Sequence, residues 1–557
     1  MQTKYIIILM KTESKDIHSY TNETANLQEE AKTINKNQKI SVADLWKTIE
    51  EMCEDNGSGF KAEYEKISKG ELHSCDAGKR DENKTKNRYK STFPYDHSRV
   101  KFRMTDMKSD YINANYIKDI SGEQRYIATQ GPKKKTVADF WTMIWQESIE
   151  IIVCLTNLKE EKKEKCAQYW PNCNDKVQSG NFTIRNLEEK TYSNYIKRHL
   201  KLQNTIGKEE KDVWMFHYTQ WPDHGVPEAI NLVVFHRHVQ RVFDESVEKS
   251  KIAVHCSAGL GRTGTFIALD ALYRHGLESG SVNVSEYVTQ MRDDRMNMVQ
   301  GEDQYKMIYT ALYESFRGHL RPVTDKLFLS DHQTLNSKHQ EDEIKKEQEA
   351  DDFKELESLK IQYDKTEKSA QNNAASNFTP TVMPVEKYRC HVLSDDGEPV
   401  YYNAVILQSF TKPDGLISAQ YPLEDQCEDF LYLVKESRPG TVVFLGRLED
   451  IPSTKIWFPS KNNCKAVGKF TIKMTKCIPS AEVTKTNIII QGKGFKDIPL
   501  SVLECNFWKG DALTADCKKV VEAIKETRLE ESTHSNKRTI VFSRYIYPKP
   551  LKYRPRK

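Results

Sequence analysis

The stretch Lys251-Ile-Ala-Val-His-Cys256-Ser-Ala-Gly-Leu-Gly-Arg262-Thr-Gly-Thr-Phe266 constrains the fold of this chain more than any other. An apolar run of β character ends at His255, a loop rich in glycine follows, and Phe266, Ile267, Ala268, Leu269, Ala271 and Leu272 then mark a buried helix. A loop entering a helix N-terminus turns several backbone N–H groups inward, and the helix dipole adds positive charge there, so phosphate fits the nest. Gly259, Gly261 and Gly264 are expected to supply the φ freedom for the wrap. Arg262 adds a planar fork able to grip two phosphate oxygens. Cys256 opens the loop and faces the same anion. A free thiol titrates near ~8.5, but beside a cation at a helix N-terminus the value drops to roughly 3.5–7.5, so a thiolate is expected at neutral pH. The competing reading is a small buried hydrophobe. Of the 12 cysteines, however, Cys256 alone has an arginine six residues later.

Composition narrows the classes. A length of 557 residues leaves room for roughly two to four domains of about 100–200 residues. The balance of 84 Lys and Arg against 80 Asp and Glu, a net +4, argues against nucleic acid or a membrane surface as a general partner. No Cys-x2-Cys pair or Cys/His cluster at zinc spacing occurs, so neither metal nor cofactor is expected. Tyr5 to Met10 is too short an apolar run to cross a bilayer, and a cytoplasmic chain without a transmembrane segment is expected.

In chain order, residues 1–40 are polar and read as a disordered leader. Val42, Leu45, Ile49 and Met52 form one helical stripe behind an N-cap at Ser41, and Phe60 to Ile67 reads as a second amphipathic segment. Lys86-Asn-Arg-Tyr89, Tyr95 to Val100 and Ser109 to Tyr116 read as hydrogen-bonded loops beside short strands. Tyr126 to Pro132, Val137 to Trp145 and Ile149 to Leu155 read as core strand, helix and strand, with Lys133-Lys-Lys135 a solvated surface run. Phe216 to Pro227 is a strand leading into a loop bounded by proline and glycine, punctuation that suits a hinged lid. Gln300 and Gln304, four apart, could share one helical face and hold a water.

Together these segments resemble the cysteine-dependent protein tyrosine phosphatases, whose signature loop is His-Cys-x5-Arg-Ser/Thr-Gly. The resemblance implies an α/β fold, a twisted mixed central sheet flanked by helices, acting on phosphotyrosine-containing proteins without a metal. It implies Cys256 as nucleophile, with Arg262 and the loop Ser257, Ala258, Gly259, Leu260 and Gly261 binding the phosphoryl oxygens. Asp223, in Trp221-Pro-Asp223, becomes the proton donor, and Gln300 and Gln304 the pair that places water. Tyr89 becomes the wall of a pocket deep enough to select phosphotyrosine by reach. His255, Thr263, Trp221 and Glu160 take supporting roles: His255 ordering the loop, Thr263 bonding the departing thiolate, Glu160 holding Arg262. Two positions depart from the pattern, Ser91 where many relatives carry an acid or amide, and Gly301 in place of threonine.

The second half echoes the first at a spacing of roughly 290 residues. Tyr401 to Val405, Ser418 to Pro422, Glu428 to Leu431, Gly440 to Leu445 and Ile456 to Pro459 repeat the Tyr111, Gln130, Asp139, Ile151 and Tyr169 regions in order. The expected domains are a catalytic one at 41–320, a charged helical linker and start of the second at 321–377, and a degenerate copy at 378–557. That copy lacks a Cys-x5-Arg, has Phe507-Trp508-Lys509 in place of Trp-Pro-Asp, and reads as truncated soon after Thr539 to Ser543, leaving a strand with apolar surface uncovered. The tandem resembles receptor-type tyrosine phosphatases, nearest those with MAM ectodomains, and implies membrane association in a longer form and docking partners for the second half. A phosphotyrosine-binding scaffold with little turnover is the alternative reading, motivated by Ser91, Gly301 and the degenerate copy.

Overall fold

A nine-stranded sheet in the first half and an eight-stranded one in the second organise this computed structural model, which describes residues 39–103, 109–223, 225–246, 251–317, 372–378, 382–409, 412–460, 463–508, 517–533 and 537–543. The chain divides into two units, residues 1–320 and 321–557. The leader up to residue 38, the charged segment 340–368 and the tail after Ser543 lie outside the described residues.

In the first unit, helix α1 (Leu45–Lys66) is followed by β1 (Arg99–Lys101), β2 (Tyr111–Lys118), β3 (Gln124–Thr129), α2 (Val137–Gln146) and β4 (Ile151–Cys154). Next come β5 (Lys176–Ser179), β6 (Phe182–Thr191), β7 (Tyr195–Asn204), β8 (Glu210–Tyr218), α3 (Ala229–Glu245) and β9 (Ile252–His255). Helices α4 (Gly261–Ser279), α5 (Val284–Asp294) and α6 (Glu302–Arg317) complete the unit. The sheet order is β1-β2-β3-β9-β4-β8-β7-β6-β5. Strand β9 runs parallel to both β3 and β4. Its C-terminal end therefore opens at the middle of the sheet edge where α/β sheets bind ligands.

One apolar layer packs α1 and α3 to α6 on one face, and α2, with Trp141 fully buried, covers the other. Helix α4 is buried nearly all round, including Phe266, Ile267, Leu269 and Leu272. Each of those side chains contributes roughly 1.5–3 kcal/mol by burial. That burial anchors the helix whose first turn begins at the glycine loop. Gly280, at φ 69°, terminates it.

Three expectations need correction. The two N-terminal amphipathic segments are one helix of 22 residues, because Leu45, Ile49, Phe60 and Tyr64 keep one buried stripe through the polar middle, and Ser41 caps only the short 3-10 turn before it. Ile40, placed in the leader, already pairs with Val282. Tyr111 to Tyr116, read as loop, lies in β2, where buried Asn113 and Asn115 are tolerated because both amides are hydrogen-bonded.

The second unit contains β10 (Ala404–Leu407), β11 (Leu416–Gln420), α7 (Cys427–Ser437), β12 (Thr441–Phe444), β13 (Cys464–Val467), β14 (Phe470–Ile478) and β15 (Val483–Gly492). It continues with β16 (Ile498–Cys505), α8 (Cys517–Thr533) and β17 (Thr539–Ser543). Its order, β10-β11-β17-β12-β16-β15-β14-β13, reproduces that of the first sheet without β1. The copy extends to individual hydrogen bonds. Asn113 Nδ2 donates to Asn87 Oδ1 at 2.9 Å and to the Thr92 carbonyl at 2.9 Å; Asn403 Nδ2 donates to Asn377 Oδ1 and to the Val382 carbonyl, both at 2.8 Å. Strand β17 occupies the place of β9, with Ile540 and Phe542 buried. Helix α8 covers part of its other face, while Ile524 and Leu529 on that helix are exposed.

Candidate active site

Because β9 ends at the centre of the sheet and α4 begins at Gly261, the loop between them is short and closed from behind. Each of its carbonyls is tied to a donor outside the nest. The Cys256 carbonyl meets His255 Nδ1 at 3.1 Å, and that of Ser257 accepts the Gly131 amide at 2.9 Å. Those of Ala258 and Gly259 accept from Arg295 at 3.1 and 2.9 Å. The Leu260 carbonyl accepts the Gly264 amide at 2.8 Å and the Val299 amide at 3.3 Å. Among the described residues, none accepts from the amides of Ser257, Ala258, Gly259 or Leu260. Consecutive free N–H groups with the carbonyls held away form an anion nest, to which the first turn of α4 adds its dipole.

Of the three loop glycines only Gly259 has a positive φ, 73°, and a Cβ there would collide with the Thr129 carbonyl. Gly261 and Gly264 lie within α4; they are glycine for close approach, since a Cβ on them would lie 2.6 Å from Gln304 Oε1 and 2.5 Å from the Val299 nitrogen.

A cavity of about 450 Å³ opens over the loop and brings together Cys256, Arg262, Asp223, Gln300, Gln304 and Tyr89. Ser257, Ala258, Gly261, Glu160, Lys165 and Ser91 also line it, whereas Gly259 and Leu260 are buried behind it. Arg262 is held by Glu160 through Nη1–Oε1 at 2.6 Å and Nη2–Oε2 at 3.2 Å, and it also donates to the Leu155 and Pro222 carbonyls, both at 3.2 Å. Four of its five donors are thus engaged, and Nε makes no hydrogen bond among the described residues. Gripping two phosphate oxygens therefore requires Arg262 to exchange one of these contacts. Burial opposes the charge on Glu160, but the hydrogen bonds and charge of Arg262, with help from Thr156 and the Asn157 amide, keep it below the usual carboxylate range.

The loop after β8 lies over the nest. Trp221, buried, donates through Nε1 to the Gly225 carbonyl at 3.3 Å, and the Arg262 guanidinium stands 5.7 Å from the Trp221 ring. The arginine of the nest therefore also holds the loop that carries Asp223. His255 is fully buried, with Nε2 2.7 Å from the Tyr169 hydroxyl. Burial pushes this imidazole down to about 4. Neutral, it donates from Nδ1 to the Cys256 carbonyl and accepts from Tyr169. Tyr89, 38% exposed, stands at the rim with its hydroxyl 2.8 Å from Ser257 Oγ.

Some assignments change. Gln300 and Gln304 do not share a helix face: Gln300 precedes α6, and its amide donates to Gln304 Oε1 at 3.0 Å, so they meet across the helix start. The Thr263 hydroxyl is buried without a hydrogen-bond partner among the described residues. Of the Lys133–Lys135 run, Lys134 and Lys135 are exposed, while half-buried Lys133 donates through its ammonium to the Thr85 and Asn87 carbonyls at 2.7 and 2.9 Å.

Two residues outside the expected site set, Gln130 and Arg295, hold the site. Gln130 accepts the Arg88 amide at 2.7 Å and donates to the Lys86 carbonyl at 2.8 Å, fixing the segment that bears Tyr89. Arg295, fully buried and pulled down to about 10 by burial, remains charged at neutral pH; besides the loop it grips Asn115 Oδ1 at 2.6 Å and Asn113 Oδ1 at 2.8 Å. The repeat carried a signal for the glutamine: Gln420 accepts from the Phe378 amide and donates to the Ser376 carbonyl in the same way. In the second unit the Leu445 amide meets the Phe542 carbonyl as that of Leu155 meets His255. Phe542 and Ser543 thus stand where His255 and Cys256 stand in the first.

The family model described as "Protein-tyrosine phosphatase" matches residues 83–314 and again 373–545. The chain belongs to the protein-tyrosine phosphatase family. It carries that family's domain in tandem, with the mixed α/β sheets described above. Receptor-type tyrosine-protein phosphatase alpha of Homo sapiens is 30% identical over 523 residues, which cover 89% of this chain and 63% of that protein. The zeta receptor-type phosphatase of Rattus norvegicus is 31% identical over 502 residues, covering 84% of this chain and 21% of that protein. Tyrosine-protein phosphatase 99A of Drosophila melanogaster is 31% identical over 490 residues, covering 84% and 36%. This phosphatase-family chain thus spans less than two thirds of the length of each of these relatives. Among its described residues no helix is long and apolar enough to cross a membrane.

Proposed function

We propose that a catalytic domain at 41–320, within the first unit, hydrolyses phosphotyrosine in proteins through a cysteinyl-phosphate intermediate. The observation that carries this reading is the row of free amides from Ser257 to Leu260, with Cys256, Arg262 and Asp223 lining the same cavity. In the first step Cys256 Sγ bonds to phosphorus as the bond from phosphorus to the tyrosine oxygen breaks, and Asp223 gives its proton to that oxygen. The loop amides and Arg262 hold the phosphoryl oxygens throughout, supplying electrostatic stabilisation from groups already in place. In the second step water placed by Gln300 and Gln304 attacks phosphorus, Asp223 takes a proton from it, and the P–S bond breaks to release phosphate and the Cys256 thiolate.

Tyr89 at the rim favours the long phosphotyrosine side chain over shorter phosphoserine. The second unit, with Ser543 in the place of Cys256, acts in docking or regulation. The receptor-type names of the relatives support a cytoplasmic location, with membrane attachment in a longer form.

Hydrolysis of p-nitrophenyl phosphate and of a phosphotyrosine peptide by the full chain, compared with Cys256→Ser and Asp223→Ala, tests the proposal. Wild-type turnover lost in Cys256→Ser and reduced at least about a hundredfold in Asp223→Ala is expected, since general acid catalysis contributes roughly 10²–10⁴. Equal rates in all three refute it, and peptide binding without turnover by the wild type leaves the scaffold reading.

A further inference from the structure

Val299 has φ 61°, a region that a β-branched residue occupies only when its surroundings over-determine it. The residue after it is Gln300. What holds Val299 comes from Arg292, seven residues earlier, and from α1. Its carbonyl accepts from Arg292 Nη2 at 2.8 Å and from the Tyr64 hydroxyl at 3.0 Å, while its side chain is fully buried. Arg292 is itself buried and, besides Val299, donates to the carbonyls of Met298, Ile67 and Ser68 at 3.0, 3.0 and 2.8 Å and to the Tyr64 oxygen at 3.2 Å. Tyr64 belongs to α1, and so does its neighbour Glu63. The Glu63 carboxylate accepts from the Tyr305 hydroxyl and from that of Tyr309 at 2.5 Å, both on α6. Tyr305 directly follows Gln304. Two successive residues of α1 therefore fix the backbone beside Gln300 and the helical turn beside Gln304, and neither lines the cavity.

We propose that Glu63 and Tyr64 are positioning residues for the second step, setting the two glutamines that hold the attacking water. This rests on the mechanism proposed above. In that step the water oxygen bonds to phosphorus, its proton goes to Asp223, and the P–S bond breaks with the electron pair returning to sulfur. A water held between fixed amides wins against other hydroxyl compounds; if the amides drift, an alcohol competes better for the same phosphorus. The first step uses Cys256, Arg262, the loop amides and Asp223, none of which Glu63 or Tyr64 touches; the link from Val299 to that loop is its amide, which donates to the Leu260 carbonyl at 3.3 Å.

The test is the ratio of p-nitrophenolate to inorganic phosphate released by the full chain from p-nitrophenyl phosphate in the presence of glycerol. Phenolate counts every intermediate formed and phosphate counts those that met water, so the ratio reads the second step whichever step limits turnover. Tyr64→Phe and Glu63→Gln are each expected to raise the ratio at least twofold above wild type while phenolate release in the first turnover stays within twofold. A merely structural role lowers both products together and leaves the ratio at its wild-type value, which overturns the proposal, as does an unchanged ratio at full activity. Should Tyr64→Phe fail to fold, Glu63→Gln, at a half-buried position, decides alone. Wild-type protein that releases no phenolate sinks the phosphatase mechanism itself, an outcome distinct from an unmoved ratio.

Discussion

Replacing Arg295 by lysine would remove what turns two carbonyls away from the nest while keeping the charge. The guanidinium makes four hydrogen bonds, to the Gly259 and Ala258 carbonyls at 2.9 and 3.1 Å and to Asn115 and Asn113 at 2.6 and 2.8 Å. An ammonium is a compact point charge without the planar fork, and it cannot satisfy both asparagines and both carbonyls. A hydrogen bond to a charged group contributes roughly 1.5–3 kcal/mol, so losing the loop pair removes about 3–6 kcal/mol of restraint. If half of that is felt where the transition state meets the amides, kcat/KM falls by roughly ten- to a hundredfold, at about 1.4 kcal/mol per factor of ten. The assay is steady-state hydrolysis of p-nitrophenyl phosphate together with calorimetric titration of inorganic phosphate, both well below the melting temperature. Phosphate affinity should weaken along with the rate. A folded Arg295→Lys protein whose kcat/KM and phosphate affinity both lie within threefold of wild type would show that the nest is shaped without Arg295.

Gly259→Ala should fold but lose at least about a hundredfold in kcat/KM, because the left-handed φ and the Thr129 carbonyl force the loop aside by roughly an ångström; wild-type rates in this variant would contradict the geometry. Gly301→Ala is expected to raise stability by about 0.4–1 kcal/mol in a denaturant titration, since a Cβ there meets nothing within 4 Å and φ is not positive; a loss of stability would count against the backbone described here. Burial pushes His255 and His217 down to about 4, whereas in the unfolded chain they protonate near the ordinary value of 6.5. The unfolded state therefore binds more protons between those values, and stability should fall as pH drops from 6.5 towards 4, at a slope on the order of 3 kcal/mol per pH unit for the pair. His238, also pushed down to about 4 by burial, adds to the same slope, so urea unfolding across that window should show the slope lower by about 1.4 kcal/mol per pH unit in His217→Gln.

Much of the site was legible because its chemistry is local in sequence. Strand, loop and helix around Cys256 follow from apolar runs on either side of a glycine-rich turn, and the tandem follows from the order of its echoes. The polar residues of β2 were misread for a physical reason: Asn113 and Asn115 look like loop formers until partners from Asn87 and Arg295, distant in sequence, satisfy them in the core. Lys133 looked solvated because its carbonyl acceptors lie nearly fifty residues earlier.

The sequence by itself pointed to Cys256 and Arg262 through residue type and short spacing, to Asp223 through the family resemblance, and to the duplicated sheet through the order of its echoes. Only the tertiary structure decided which way the loop carbonyls point, that Arg262 bonds the loop after β8 as well as Glu160, and that α1 reaches the residues beside Gln300 and Gln304. Those features are hydrogen bonds between segments up to about 240 residues apart, and no periodicity along a chain records where its distant parts will meet.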